Sequence, residues 1–288
     1  MRIASFEIDG RQSYGVVDRE TIIDAGAVLA DRYGDLKALV AAGDVAEGLA
    51  NQDLSGAPRH ALSSVTLKPT IRNPDKIICV GLNYETHRKE TGRDKSAYPV
   101  LFTRFANSQV GHEEPMILPT VSDKFDFEGE LAVIVGRGGR HIAESDGLSH
   151  IAGYACYNDG TLRDWQRHTH QFIPGKNFPG TGAFGPWMVT ADEIADPAAL
   201  ELTTRLNGEV MQNATTDLLI FSIPYLVHYC SEFTELAPGD VIVTGTPGGV
   251  GFKRTPPLFM KEGDRIEVEI SGIGILANDI RAEAAGSA

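Results

Sequence analysis

The chain has 288 residues, 42% of them hydrophobic, and a formal net charge of −13. That length suits one large domain, or a large domain with a small one, and no apolar run reaches the roughly 18 residues a membrane helix needs. The acidic balance argues against general nucleic-acid binding, which requires a basic surface.

At the N-terminus, "RIASFEI" and "QSYGVVD" alternate like strands and show no basic-then-apolar signal pattern. Helical stretches follow around "LKALVAAGDVAEGLANQ", then the polar link "SGAPRHALSSVTLKPTIRNPDK". Residues 1–68 therefore read as a small N-terminal domain and 69–288 as the main domain. Cys79, Cys156 and Cys230 are sparse, odd in number and lack a C-x-x-C pair. Such a set points to reduced thiols and a cytoplasmic home.

The main domain opens with a strand, "KIICVGLNY", that runs into a loop. In "GLNYETHRKETG", Gly81 to Gly92, a short helix places His87 beside Glu90 at i, i+3 spacing. Glu90 can orient His87, and His87 can take a proton from water. A plain surface helix is the alternative. In "FDFEGELAVIVG", residues 125 to 136, strand alternation gathers Asp126, Glu128 and Glu130 on one face. Phe127, Leu131, Val133 and Val135 take the other face, and Ala132 and Ile134 turn the acidic face apolar. Crowded carboxylates raise the cost of ionising one another. A divalent cation would offset that repulsion, and oxygen-only ligands suit Mg²⁺, Mn²⁺ or Ca²⁺. An edge strand with a charged solvent face is the other reading.

In "GYACYNDGTLRDWQRH", a buried strand ends just before Asp159, which can deliver a third carboxylate. Arg163, Gln166 and Arg167 follow, and one helix face can show Asp159, Arg163 and Gln166 together. Arg163 there can hold a substrate carboxylate in fork geometry; a helix start capped by Asp159 is the alternative. Lys176 stands in the Gly/Pro-rich loop "FIPGKNFPGTG", where it can stabilise an enolate or bind a carboxylate; a plain surface lysine is the alternative. "LELTTRLNGEVMQN" reads as a hairpin closed by Asn207-Gly208. "SIPYLVHYCSEF" reads as a helix capped by Ser222, with Pro224 in the first turn. "VTGTPGGVGF" has neither P-loop nor dinucleotide-binding spacing. It reads as tight turns that bring backbone N–H groups and Thr246 close to a site. "DRIEVEISGIGILANDI" supplies two last strands. "HTH" at His168 to His170 lacks a third ligand for zinc. The irregular alternation of strands and helices makes this a β-rich α+β chain.

Taken together, "GLNYETH", "DFEGELAVIVG", "GYACYNDGTLRDWQ", "GKNF", "GPWMVTADEI", "NGEVMQ" and "LAPGDVIVTGTPGGVG" resemble the fumarylacetoacetate hydrolase family over roughly residues 70 to 283. The resemblance implies a mixed β-roll core, a small N-terminal domain and a homodimer. It implies a divalent cation, Mg²⁺ or Mn²⁺ with Ca²⁺ possible, held by Glu128, Glu130 and Asp159. It assigns water activation to His87 with Glu90, the family lysine to Lys176, and substrate contacts to Arg163, Gln166 and Thr246. The implied activity is hydrolysis of a C–C bond in an acylpyruvate-type 2-oxo acid. Decarboxylation of oxaloacetate, isomerisation of a hydroxymuconate, or dehydration of a 2-oxo-3-deoxy acid are the alternatives on the same site. No nucleic-acid or membrane partner is implied. Two departures stand out. Arg104-Phe105 replaces a frequent Lys-Pro, and "DGTLRD" replaces Asp-Val-Ser-Ala-Arg-Asp; both changes are expected to alter the pocket wall.

Overall fold

The computed structural model describes residues 1–43 and 45–284. Asp44, inside the expected helical stretch, and residues 285–288, at the end of the expected main domain, lie outside the described residues. A twelve-stranded mixed sheet forms the backbone of the molecule. Its centre is the run Gly182–Thr190, Ile151–Asn158, Gly129–Val135, Val241–Val243, Ile77–Gly81 and Val100–Arg104, each hydrogen-bonded to the next. A five-stranded sheet built from Glu201–Leu206, Glu209–Thr215, Arg265–Ile270, Gly274–Ala282 and Met116–Leu118 packs over the middle strands. The fold is thus the sheet-dominated α+β type that the sequence implies.

The strand Gly129–Val135 is buried along its whole length. Leu131, Val133 and Val135 join Phe127 in the core beneath the five-stranded sheet. Ala132 and Ile134 point to the opposite core, which Leu36, Leu39 and Val40 of the N-terminal segment cover. That second cover explains why the acidic face of the strand turns apolar. Each of the larger side chains here contributes roughly 1.5–3 kcal/mol by leaving water, and Ala132 less.

The N-terminal strands do not form a sheet of their own. Arg2 pairs with Val189 and Ile3 with Met188, so Arg2–Ile8 extends the large sheet directly. The expected helices here are two short ones, Leu36–Ala41 and Val45–Ala50. Asp35 caps the first by accepting from the Ala38 N–H at 2.7 Å, a contact worth about 1 kcal/mol.

Later elements follow their local signals. Asn207 and Gly208 both have positive φ, 53° and 81°, as a type I′ hairpin turn requires. The helix Ile223–Phe233 begins at Ser222, whose side chain accepts from the Tyr225 N–H. Two expectations need correction. The strand expected from Phe125 is broken: Phe125–Asp126 pairs with Thr161–Leu162, and the main strand begins only at Gly129. The Phe127 N–H turns to Asp126 Oδ1 and the Glu128 N–H to Asn158 Oδ1, so neither joins the ladder. The partner strand breaks opposite, at Asp159 and Gly160, where the Asp159 N–H donates to Glu128 O at 2.9 Å. This shared kink is where Glu128 and Asp159 meet.

The second correction concerns the helix after Asp159. It is a single turn, Arg163–Gln166, preceded by the strand Thr161–Leu162, and no side chain caps it. Asp159 therefore shares no helix face with Arg163 and Gln166. Lys176 likewise sits in a one-turn helix, Ile173–Lys176, rather than in a loop. Gly175 allows the two turns to touch, because a Cβ there would lie 2.4 Å from the Gln166 nitrogen.

Candidate active site

Glu128, Glu130 and Asp159 are all buried, and one ligand oxygen from each lies within 4.8 Å of the others. Among the described residues they are the one cluster of this kind. Each carboxylate is held from behind. The Gly245 N–H donates to Glu130 Oε2 at 2.5 Å. Arg104 Nη1 donates to Asp159 Oδ1 at 2.6 Å, and Lys176 reaches Asp159 Oδ2 and Glu128 Oε2. Arg163 Nη2 donates to Glu128 Oε1 at 2.6 Å.

The trio fits a hard divalent cation. Its donors are all carboxylate oxygens, without nitrogen or sulfur, which suits Mg²⁺, Mn²⁺ or Ca²⁺. The electrostatics agree. Burial, then the Asp159 and Glu128 charges, push the Glu130 carboxyl well above its ordinary value. Burial also works against ionised Glu128, but Arg163 and Lys176 outweigh it and hold that carboxyl low. Two of the three carboxylates have protein cations beside them; Glu130 is the one left needing positive charge.

The helix Glu85–Thr91 lies over this floor. His87 Nδ1 donates to Glu90 Oε1 at 2.7 Å, which leaves Nε2 as the basic nitrogen. His87 is buried and lines the same cavity as Glu128, Glu130, Arg163, Gln166, Lys176 and Thr246. The cavity measures about 170 Å³, below the 300–1,000 Å³ typical of drug-sized ligands, so it suits a small molecule.

The glycine-rich turn after Val243 does what its composition suggested. Its amides donate in sequence to Glu130 (from Gly245), Thr86 (from Gly248), Glu90 (from Gly249) and Asp126 (from Gly251 and Phe252). One loop thereby ties the strand that carries Glu130 to the helix that carries His87. Gly249 has φ +105°, and a Cβ on it would meet Met211 O at 2.3 Å, so both backbone angle and space demand glycine. Thr246 Oγ1 donates to Gly129 O and accepts from Gln212 Nε2, which leaves one lone pair open.

Arg163 is more committed than its sequence position suggested. Nε donates to Asp126, Nη2 to Glu128 and Nη1 to Gln166 Oε1. Arg104 differs too. It does not line the cavity but stands behind Asp159, fully buried, also donating to Gly160 O and Thr181 Oγ1. The Arg104 change thus alters the support of Asp159, not the pocket wall. Sequence reasoning missed Gln212, which accepts from the Gly129 N–H and donates to Thr246 and Pro247. It also left Asp126 without a role, although its place beside Glu128 marked it. His168, of the discarded zinc pair, packs on the Trp165 ring, with centroids 4.7 Å apart.

Comparison with known proteins gives the same picture. The family model described as fumarylacetoacetate (FAA) hydrolase C-terminal matches residues 76–281. Human mitochondrial oxaloacetate tautomerase FAHD2A is 41% identical over 220 residues, 76% of this chain and 70% of that protein. The solved fumarylacetoacetate hydrolase of Exiguobacterium antarcticum superposes with a TM-score of 0.85 at 36% identity, covering 98% of this chain and all of that one. Maleylpyruvate hydrolase of Sphingobium sp. SYK-6, solved with manganese(II) and pyruvate, superposes with a TM-score of 0.82 at 30% identity, covering 99% of this chain and all of that one. With a family model matched over residues 76–281 and a relative 41% identical over 76% of the chain, the protein belongs to the fumarylacetoacetate hydrolase family of enzymes.

Proposed function

We propose that this enzyme, with a divalent cation in the carboxylate trio, moves protons on small 2-oxo acids that carry a second carbonyl two carbons away. The observation that carries this is the His87–Glu90 pair closed over Glu128, Glu130 and Asp159 in a small cavity. Mg²⁺ or Mn²⁺ bound there would supply the positive charge that makes an enolate accessible.

The protein's residues do the rest. Glu90 holds the His87 ring so that Nε2 can take a proton from C3 of the substrate. Returning that proton to the C2 oxygen completes keto–enol interconversion. Lys176 and the two uncommitted N–H groups of Arg163 offset charge developing on the substrate oxygens. Similarity to an oxaloacetate tautomerase favours this reaction.

C–C hydrolysis of an acylpyruvate is the second reading. The similar maleylpyruvate hydrolase, solved with manganese and pyruvate, favours it. Here His87 would deprotonate water, and the new C–O bond forms at the remote carbonyl. The C–C bond breaks with its electron pair moving to the pyruvate carbon, which recovers a proton. Residues 1–68 as a small N-terminal domain that adds its strands to the large sheet, and a homodimer, are further parts of the proposal. So is a reducing, cytoplasmic location, which three buried free cysteines suit. Among the described residues no helix is long and apolar enough to cross a membrane.

A product-resolved assay with Mg²⁺ or Mn²⁺ tests the choice, using enol-oxaloacetate and a panel of acylpyruvates. Metal-dependent loss of enol absorbance without cleavage establishes the tautomerase. Release of pyruvate with a carboxylic acid establishes the hydrolase. Carbon dioxide release as the fast step would set both aside for a decarboxylase.

A further inference from the structure

The mouth of the cavity carries positive charge that the chemistry above does not use. Arg93, Arg167 and Lys253 all line it, and all three are exposed. The ion pairs around the cavity belong to Arg104, Arg163 and Lys176; among the described residues the mouth cations have none. Phe252 gathers two of them. The Arg167 guanidinium carbon lies 4.8 Å and Lys253 Nζ 5.3 Å from its ring centroid, with Arg163 at 4.2 Å. The backbone that carries this ring is anchored, because the Phe252 N–H donates to buried Asp126 at 3.0 Å. Arg93 reaches the mouth from the end of the helix Glu85–Thr91. It directly follows Gly92, whose φ of +69° ends the His87 helix, and Arg88 holds its backbone from both directions.

Like charges gathered without a counter-charge repel one another. In a protein with a net charge of −13, three free cations at one opening create a local field opposite to that of the rest of the molecule. Such a field concentrates anions. The cavity floor cannot account for it. There Asp126, Glu128, Glu130 and Asp159 already outnumber Arg104, Arg163 and Lys176.

Resting on the function proposed above, we propose that Arg93, Arg167 and Lys253 form a second anion subsite that reads the distal carboxylate of the substrate. The enzyme's substrates are then 2-oxo dicarboxylic acids, with one carboxylate at the floor and one at the mouth. The subsite sets affinity and not the proton transfer, since none of its members touches His87 or the carboxylate trio.

The test is binding, not turnover, so that it separates this subsite from the reaction assigned to the floor. Calorimetry with Mn²⁺ present compares 2-oxoglutarate with 2-oxopentanoate, and 2-oxoadipate with 2-oxohexanoate. Within each pair the molecules differ only in the distal carboxylate. In at least one pair the dicarboxylate is expected to bind about tenfold more tightly, with the advantage shrinking as salt rises. Arg93→Gln, Arg167→Gln and Lys253→Gln combined should erase that advantage and leave the monocarboxylate's affinity unchanged. Equal affinity within both pairs, or an advantage that survives the triple variant, overturns the subsite while leaving the floor chemistry standing. Binding of neither member in either pair overturns the 2-oxo acid reading, and the subsite with it.

Discussion

Arg104 Nη1 lies 2.6 Å from Asp159 Oδ1, and both side chains are fully buried. The guanidinium also spans Gly160 O and Thr181 Oγ1, so it fixes the kinked turn that presents Asp159. Removing one partner of a buried pair strands the other charge. Arg104→Ala is therefore expected to lose about 3–5 kcal/mol of stability in chemical denaturation. Arg104→Lys should lose less, because it keeps the charge, yet should bind Mn²⁺ more weakly because Asp159 is no longer clamped from two sides. An Arg104→Ala protein as stable as wild type would remove Arg104 from this role.

Glu130 is the carboxylate that burial and its neighbours disfavour most. Glu130→Gln keeps its shape and can still accept from the Gly245 N–H. The metal-free variant is expected to be at least as stable as the wild type. Wild type should gain about 2.7 kcal/mol at a hundredfold excess of Mn²⁺ over Kd, and the variant nothing. Thermal denaturation with and without Mn²⁺ measures both effects, and a variant still stabilised by the metal would exclude Glu130 as a ligand.

His87 lines the cavity through a ring that Glu90 holds. His87→Ala should bind Mn²⁺ as wild type does while losing on the order of 10²–10⁴ in kcat, the usual worth of a positioned base. Glu90→Gln should lose a comparable factor, since with its oxygen on the Gly249 N–H its amide NH2 would face His87 Nδ1 and leave the proton on Nε2. Normal turnover by His87→Ala would move the base elsewhere.

The N-terminal segment has its own buried charge. Asp24 is fully buried and accepts from Ser13, Arg11 and the Ala27 N–H. Burial alone would raise its carboxyl, but those donors outweigh it and hold it below its ordinary value of 3.8. Such a group binds its proton more tightly when unfolded. Its stabilisation is thus complete above pH 3.8 and disappears as the pH falls through the lower, folded value. Asp24→Asn should cost about 1.5–3 kcal/mol at pH 7, and the gap to wild type should narrow below pH 4. Urea denaturation of both proteins at the two pH values checks this; a gap that widens in acid would reverse the assignment.

Local pattern alone determined much of this protein. Strand alternation placed Leu131, Val133 and Val135 opposite Glu130, and Asn207-Gly208 announced its hairpin, because both are rules of nearest neighbours along the chain. The i, i+3 spacing of His87 and Glu90 settled their contact for the same reason. Asp159, by contrast, meets Glu128 only because two strands kink at the same level, and that depends on Asn158 and Asp126 capturing amides across the break. Arg104 and Gln212 stand 55 and 83 residues from the groups they hold. No periodicity reaches so far. The sequence could name the chemistry by residue type, whereas the pairing of charges in the dry interior was decided by which strands the sheet placed side by side.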